Sequence, residues 1–194
     1  TLVYEHNLAR ILQRQGRDEE ALGHNRHVFE ARRRVLGDDH PRTLRTKAGV
    51  ADSLSRLGRF EESRALFAEV HEDRLRTLGP DHPDTVESIG SLAIQTKYLG
   101  RFAEAAPLYE ATLAGRTRLL GAEHPRTLAT QYGLADLYWQ AGRTADAERL
   151  LLTTIASQQR VLGPDNRQTL RSEIVLAQLY DQLRRDAEAE KLYL

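Results

Sequence analysis

A ten-residue phrase returns along this chain at a constant interval, and that interval constrains the fold more than any other feature. The phrase reads VLGDDHPRTL at 35–44, TLGPDHPDTV at 77–86, LLGAEHPRTL at 119–128 and VLGPDNRQTL at 161–170. A second signal, Gly-Arg, recurs in step with it. Both sets of glycines are spaced by 42 residues: Gly37, Gly79, Gly121, Gly163, and Gly16, Gly58, Gly100, Gly142. Such a period restricts the chain to one structural unit repeated along a line.

Each unit reads as two helices. Its two turn signals are separated by stretches of roughly 16–18 residues, a length typical of helices rather than strands. The first helix should begin at the His-Pro step, since proline lacks the N–H that would stay unpaired in the first turn. Apolar residues such as Leu134, Ala135 and Tyr138 follow with helical spacing on one face. Small residues twelve apart, such as Ala51 and Ser63, would let two antiparallel helices approach closely.

The repeated hairpin predicts an all-α fold. One hairpin cannot bury both of its faces, so neighbouring hairpins must stack into an α-solenoid. We expect a single array over 1–194, with partial repeats at 1–42 and 169–194 and full repeats at 43–84, 85–126 and 127–168. The array begins in mid-pattern and the sequence has no methionine, which indicates a piece of a longer protein.

The motif LADLYWQAGRTADAERLL (134–151) resembles the tetratricopeptide repeat (TPR). The 42-residue variety with LGPDHPDT is similar to the repeats of kinesin light chains and of many bacterial signalling proteins. This resemblance implies a right-handed superhelix of stacked antiparallel hairpins, with the first helices lining a concave groove. Kinesin light chains carry an Asn-Asn pair before Leu-Ala, whereas only Asn7 is present here, so kinesin-type cargo recognition is not expected. Because 25 of the 28 basic residues are arginine, a bacterial origin is favoured.

Composition excludes several other functions. Acidic and basic residues balance at 28 each, without the basic surplus of a nucleic-acid binder. No apolar run would span a membrane and no signal peptide is visible, so we expect a cytoplasmic protein. Cysteine is absent, and neither a glycine-rich phosphate loop nor a nucleophile motif is present. We therefore expect no enzyme activity and no cofactor.

Histidines raise the question of a metal site. His40, His82 and His124 recur at one position of the repeat, and His24 and His27 are three residues apart. The first three should lie about one repeat apart in space, just ahead of a helix, where an acidic neighbour could cap free N–H groups. The other two read as a solvated helix surface. The sequence therefore predicts no metal site.

The resemblance also implies which side chains would face the groove and bind a peptide: Asn7, Arg10, Arg45, Asp52, Arg56, Lys97, Tyr98, Tyr132, Asp136 and Trp139. Aromatic residues and arginine are typical of binding hot spots, and the basic side chains could hold a carboxylate. Small residues at 48, 49, 90, 91 and 133 would leave the groove floor open. Two alternatives stay open: that Tyr132 and Trp139 are packing residues only, and that the helical glycines serve tight packing.

These observations indicate a protein–protein interaction module that holds a peptide or protein partner in its groove. The alternative is a structural role, as a self-association or autoinhibitory arm of a multidomain signalling protein such as a kinase or NTPase regulator. Exposed terminal repeats would allow homo-oligomers to form.

Overall fold

The computed structural model describes residues 2–193, apart from the side chains of Leu2, Val3 and His6, and this part of the chain is built of ten helices. They form two compact units, Thr1–Gly100 and Arg101–Leu194. The first unit contains α1 (Leu2–Arg14), α2 (Asp18–Leu36), α3 (Pro41–Arg56), α4 (Phe60–Leu78) and α5 (Pro83–Tyr98). The second contains α6 (Phe102–Leu120), α7 (Pro125–Gln140), α8 (Thr144–Leu162), α9 (Arg167–Gln182) and α10 (Asp186–Tyr193).

The all-α prediction is confirmed, and within each unit consecutive helices pack against one another. Division of the chain into one array with the stated repeat boundaries stays a prediction. Its outermost residues, Thr1 and Leu194, lie outside the described part of the chain.

Histidine caps the first helix of the repeat. The Nδ1 atoms of His40, His82 and His124 each accept a hydrogen bond of 3.1 Å from the backbone N–H two residues later. In the fourth copy, the side chain of Asn166 accepts the equivalent bond. The recurring histidine therefore satisfies an N–H that the helix leaves unpaired, which explains its position. The sequence allowed an acidic neighbour to cap this N–H, and in the structure the imidazole caps it instead.

Glycine ends the helices in backbone conformations that other residues rarely adopt. Gly16, Gly58 and Gly142 have φ values of 74°, 74° and 76°, the left-handed region of a helix C-terminus. The glycines of the ten-residue phrase combine a positive φ with an extended ψ. Gly79, for example, has φ 84° and ψ 169°. Both turn signals read from the sequence are thus conformational requirements.

Small residues bring the two helices of a hairpin together. Ala51 is completely buried, and the hydroxyl of Ser63 donates to its backbone carbonyl at 2.8 Å. Ala135 and Ala147 stand at the same two repeat positions in the second unit, and neither has any exposed surface. The predicted close approach therefore leaves space for nothing larger than a methyl or hydroxymethyl group at these positions.

Arginines on the second helices form hydrogen bonds that link one hairpin to the next. Nη1 of Arg74 on α4 donates to the carbonyl of Asp84 on α5 at 2.9 Å. Arg32 and Arg116 make the same contact with a carbonyl ten residues later. Arg74 is only 7% exposed, so its guanidinium lies in the contact between the two hairpins and not at the protein surface.

Candidate functional site

The first unit contains a cavity of about 320 Å³ bounded by its first helices α1, α3 and α5. We call it the Asn25 cavity. Second helices α2 and α4 supply its deeper residues. The lining consists of Arg10, Gln13, Asn25, Arg45, Ala48, Gly49, Asp52, Phe67, Arg74, Glu87 and Ser91. Three of the predicted groove residues, Arg10, Arg45 and Asp52, are therefore brought together.

Asn25 supplies a buried amide to this cavity. It is 3% exposed, and its Nδ2 donates to the carbonyl of Gly49 at 3.2 Å and to the hydroxyl of Ser53 at 3.0 Å. The same repeat position carries Phe67 and Tyr109 in the next two units of sequence. A polar group thus replaces a large apolar one, which makes part of the cavity floor hydrophilic.

Asp52 has an unusual protonation equilibrium. Its pKa is raised to about 6, because the surrounding protein atoms reduce its hydration and because Glu87 adds negative charge. Arg74 and Arg56 oppose this shift but do not cancel it. Part of the residue stays exposed to solvent, and the raised pKa brings the change of charge of its carboxyl close to neutral pH.

The remaining predicted residues of the first unit do not line this cavity. Arg56 is held elsewhere: its Nε bonds Asp18 and its Nη2 donates to the carbonyl of Gln13 at 2.7 Å. Tyr98 stacks on Phe60, with ring centroids 4.9 Å apart. Asn7 is exposed on α1, and Lys97 is half-buried on α5.

In the second unit, Tyr132, Asp136 and Trp139 follow one face of α7. Each aromatic side chain contacts α9 through a polar atom. The hydroxyl of Tyr132 accepts from Nε of Arg171 at 3.0 Å, and Nε1 of Trp139 donates to Gln182 at 2.7 Å. Both rings are half-buried. They are therefore partly used in packing, and each keeps an accessible surface.

Sequence reasoning missed the contribution of the second helices. Asn25, Phe67 and Arg74 line the cavity although they belong to α2 and α4. A signal for Asn25 was available, since a polar residue interrupts an otherwise apolar repeat position. Glu87 of α5 was also missed, and nothing in the pattern marked it.

Among the described side chains, which do not include that of His6, no group of three acidic, histidine or cysteine residues could hold a metal ion. His27, one of the sequence candidates, bonds Glu5 at 2.6 Å. No helix of the described chain has the length and apolar character needed to cross a membrane.

Stacked helix hairpins with a lined cavity on their first helices define a helical-repeat scaffold of the kind that holds other molecules. The Tetratricopeptide repeat family matches residues 1–70 and 92–157. The chain belongs to this family, and its fold is typical of protein–protein interaction modules.

Solved structures agree with this assignment. A putative kinesin light chain of Podosopora anserina, with nearly identical TPR-like repeats, is 30% identical with a TM-score of 0.86, covering 99% of this chain and 91% of the other. BtubC (BKLC) from P. vanneervenii is 19% identical, TM-score 0.83, covering 95% and 74%. A Rap protein complexed with Competence and Sporulation Factor is 14% identical, TM-score 0.78, covering 99% and 52%. A search of curated proteins found no match.

Proposed function

We propose that the chain is an interaction module that binds a peptide segment of a protein partner across α1, α3 and α5. The observation that carries this proposal is the Asn25 cavity, which combines exposed arginines with a small-residue floor. The proposal assigns a binding role rather than a catalytic one.

The lining groups suit a peptide chain. Ala48 and Gly49 present little side chain, so a peptide backbone can come close to α3. Arg10 and Arg45 supply guanidinium groups that can hold a carboxylate in bidentate fashion. Asp52 supplies an acceptor for an N–H or a basic side chain when it is ionised.

The second unit would contribute aromatic contacts of its own. Tyr132 and Trp139 expose part of their rings on α7 and are held in position by Arg171 and Gln182. Rigid aromatic side chains lose little entropy on binding and are common hot spots. The Rap protein shows that a fold of this kind can be found in complex with another molecule.

A displayed peptide library screened against the chain tests the proposal. Selected peptides should lose affinity about tenfold for Arg10→Ala or Arg45→Ala, since each variant removes a charge-assisted hydrogen bond. Arg33→Ala is the matched control, because Arg33 is exposed on α2 and pairs with Glu30 outside the cavity. Equal loss in all three variants, or in none, would refute the site. Trp139→Ala tests the second unit separately.

A further inference from the structure

A second cavity of about 460 Å³ lies in the first unit, over α3 in the gap between α2 and α4. We call it the Leu54 cavity. It shares no lining residue with the Asn25 cavity. Its volume is within the range of about 300–1,000 Å³ typical of small-molecule sites. Its apolar wall consists of Phe29, Val50, Leu54, Ala65 and Leu66.

The second unit shows what such a gap contains when the protein fills it from within. Two repeats of 42 residues after Leu54, the same position carries Tyr138. Its hydroxyl donates to Glu110 at 2.8 Å on the preceding second helix. The guanidinium of Arg143 lies 4.0 Å from its ring centroid. The gap in the second unit is thus filled by a phenol ring. A carboxylate accepts from the hydroxyl of this ring, and a guanidinium lies over its face.

One further copy repeats this pattern, and another keeps only a polar contact. Tyr180 takes the position in α9, donates to Glu148 at 3.2 Å and lies under Arg185 at 4.1 Å. In α5 the position is Thr96, and Arg64 reaches it from the second helix at 3.3 Å. In each of these copies a polar partner from the preceding second helix meets the side chain, whereas the side chain of Leu54 has no polar atom.

The charge at the rim of the Leu54 cavity is also reversed. Arg26 stands at the repeat position of Glu110, the residue that accepts the hydroxyl of Tyr138. Among the side chains that the structure describes, Arg26 makes no hydrogen bond or ion pair, and only its longer-range field acts on Glu62. An occupant must therefore present an acceptor or an anion where the internal tyrosine presents a donor.

Other charged residues of the lining have partners. These pairs are Lys47 with Glu69 at 2.7 Å, Glu62 with Arg59 at 2.7 Å, and Glu30 with Arg33 at 3.4 Å. Arg26 is therefore the lining charge left available to a ligand in the described part of the chain.

We propose that the Leu54 cavity is a binding site for a small aromatic carboxylic acid. The ring would occupy the apolar gap that tyrosine fills in other repeats, and the carboxylate would accept hydrogen bonds from Arg26. This site is separate from the peptide surface and does not depend on it.

Titration of the chain with 4-hydroxyphenylacetate, followed by amide NMR, tests this site. Saturable shifts should concentrate on the lining residues. Tyramine, which has the same ring with an ammonium group, and acetate, which has no ring, should bind at least about tenfold more weakly. Arg45→Ala should leave the titration unchanged, which separates this site from the Asn25 cavity.

Two variants make the assignment falsifiable. Leu54→Tyr combined with Arg26→Glu rebuilds the internal pair of the second unit, so it should fold and abolish the shifts. Arg26→Glu alone is an exposed change that keeps the core, and it should weaken binding at least about tenfold. Retained binding by Arg26→Glu, or equal binding of tyramine, would overturn the proposal. Equal binding of N-acetyltyrosinamide would also overturn it and would indicate a peptide side chain as the occupant.

Discussion

A Cβ atom placed on Gly133 would lie 2.8 Å from Cε1 of Tyr109, so the absence of a side chain at 133 is what allows this ring to pack. Tyr109 is 6% exposed and cannot move aside freely. The equivalent atom on Gly49 would lie 3.6 Å from Oδ1 of Asn25, an ordinary contact. Two glycines at one repeat position thus have different roles: Gly133 is a packing requirement, and Gly49 leaves a cavity open.

Alanine substitution distinguishes these roles. Gly133→Ala should lower the free energy of unfolding by about 1–2 kcal/mol, because the clash outweighs the helix propensity gained. Gly49→Ala should raise it by up to about 1 kcal/mol, since only the propensity term remains. Urea unfolding followed by circular dichroism measures both. Equal changes of the same sign would contradict the distinction.

Arg184 occupies the fifth position of the Gly-Arg turn without its glycine and adopts φ 59°. This left-handed conformation is strained for a residue with a side chain. Arg184→Gly should therefore stabilise the chain by about 1 kcal/mol. Its exposed ion pair with Asp186, at 3.9 Å, contributes little that would be lost. The reciprocal change Gly142→Arg should destabilise by a similar amount, and thermal unfolding of both variants checks the prediction.

Gln158 is 1% exposed, and neither its Nε2 nor its Oε1 has a hydrogen-bond partner. Gln158 stands at the repeat position of Arg74 and Arg116, which link neighbouring hairpins. Its side chain is shorter and does not make their hydrogen bond to a backbone carbonyl. Gln158→Leu should stabilise by about 1–2 kcal/mol by removing unpaired polar atoms.

Arg116→Leu is the matched change, and it should destabilise because it removes a bond that is made to the carbonyl of Arg126. Stability changes of the same sign in Gln158→Leu and Arg116→Leu would show that hydrogen bonding at this repeat position does not determine stability. Chemical unfolding curves supply the comparison.

Asp52 should make stability depend on pH. Its pKa is about 6 in the folded chain against 3.8 as the reference, so between these values the folded state holds more protons than the unfolded one. The contribution of Asp52 to stability is therefore greatest below the lower value and falls as pH rises through the upper one. Asp52→Asn should raise the melting temperature at about pH 8 and give little gain at about pH 4. A constant difference would contradict the shift.

How far the sequence predicted the structure depends on the kind of contact. The helix starts at Pro41, Pro83 and Pro125 were predictable, because proline and the phrase glycines act on the local backbone. The role of the recurring histidine was not, since an imidazole can bind metal or cap a helix, and only the distance of Nδ1 from the N–H distinguishes them.

The candidate site was predicted in part. Arg10, Arg45 and Asp52 follow from the repeat position of the first helices, and they meet at one cavity. Arg56 was placed on the same face, but Asp18 and the end of α1 hold it elsewhere. Such competition between partners depends on side-chain geometry between neighbouring hairpins, which a periodic pattern does not encode. Self-association through the terminal repeats stays a prediction, for which light scattering is the measurement.

Entry of a peptide into the Asn25 cavity can be followed by fluorescence titration with a library-selected peptide. Gly49→Leu adds a side chain at the cavity floor, where the first atom meets no clash, and Gly23→Leu adds the same group on α2 in open space. If a peptide occupies this cavity, Gly49→Leu abolishes binding, whereas Gly23→Leu binds as the unmodified chain does. Equal affinity of the two variants would contradict it.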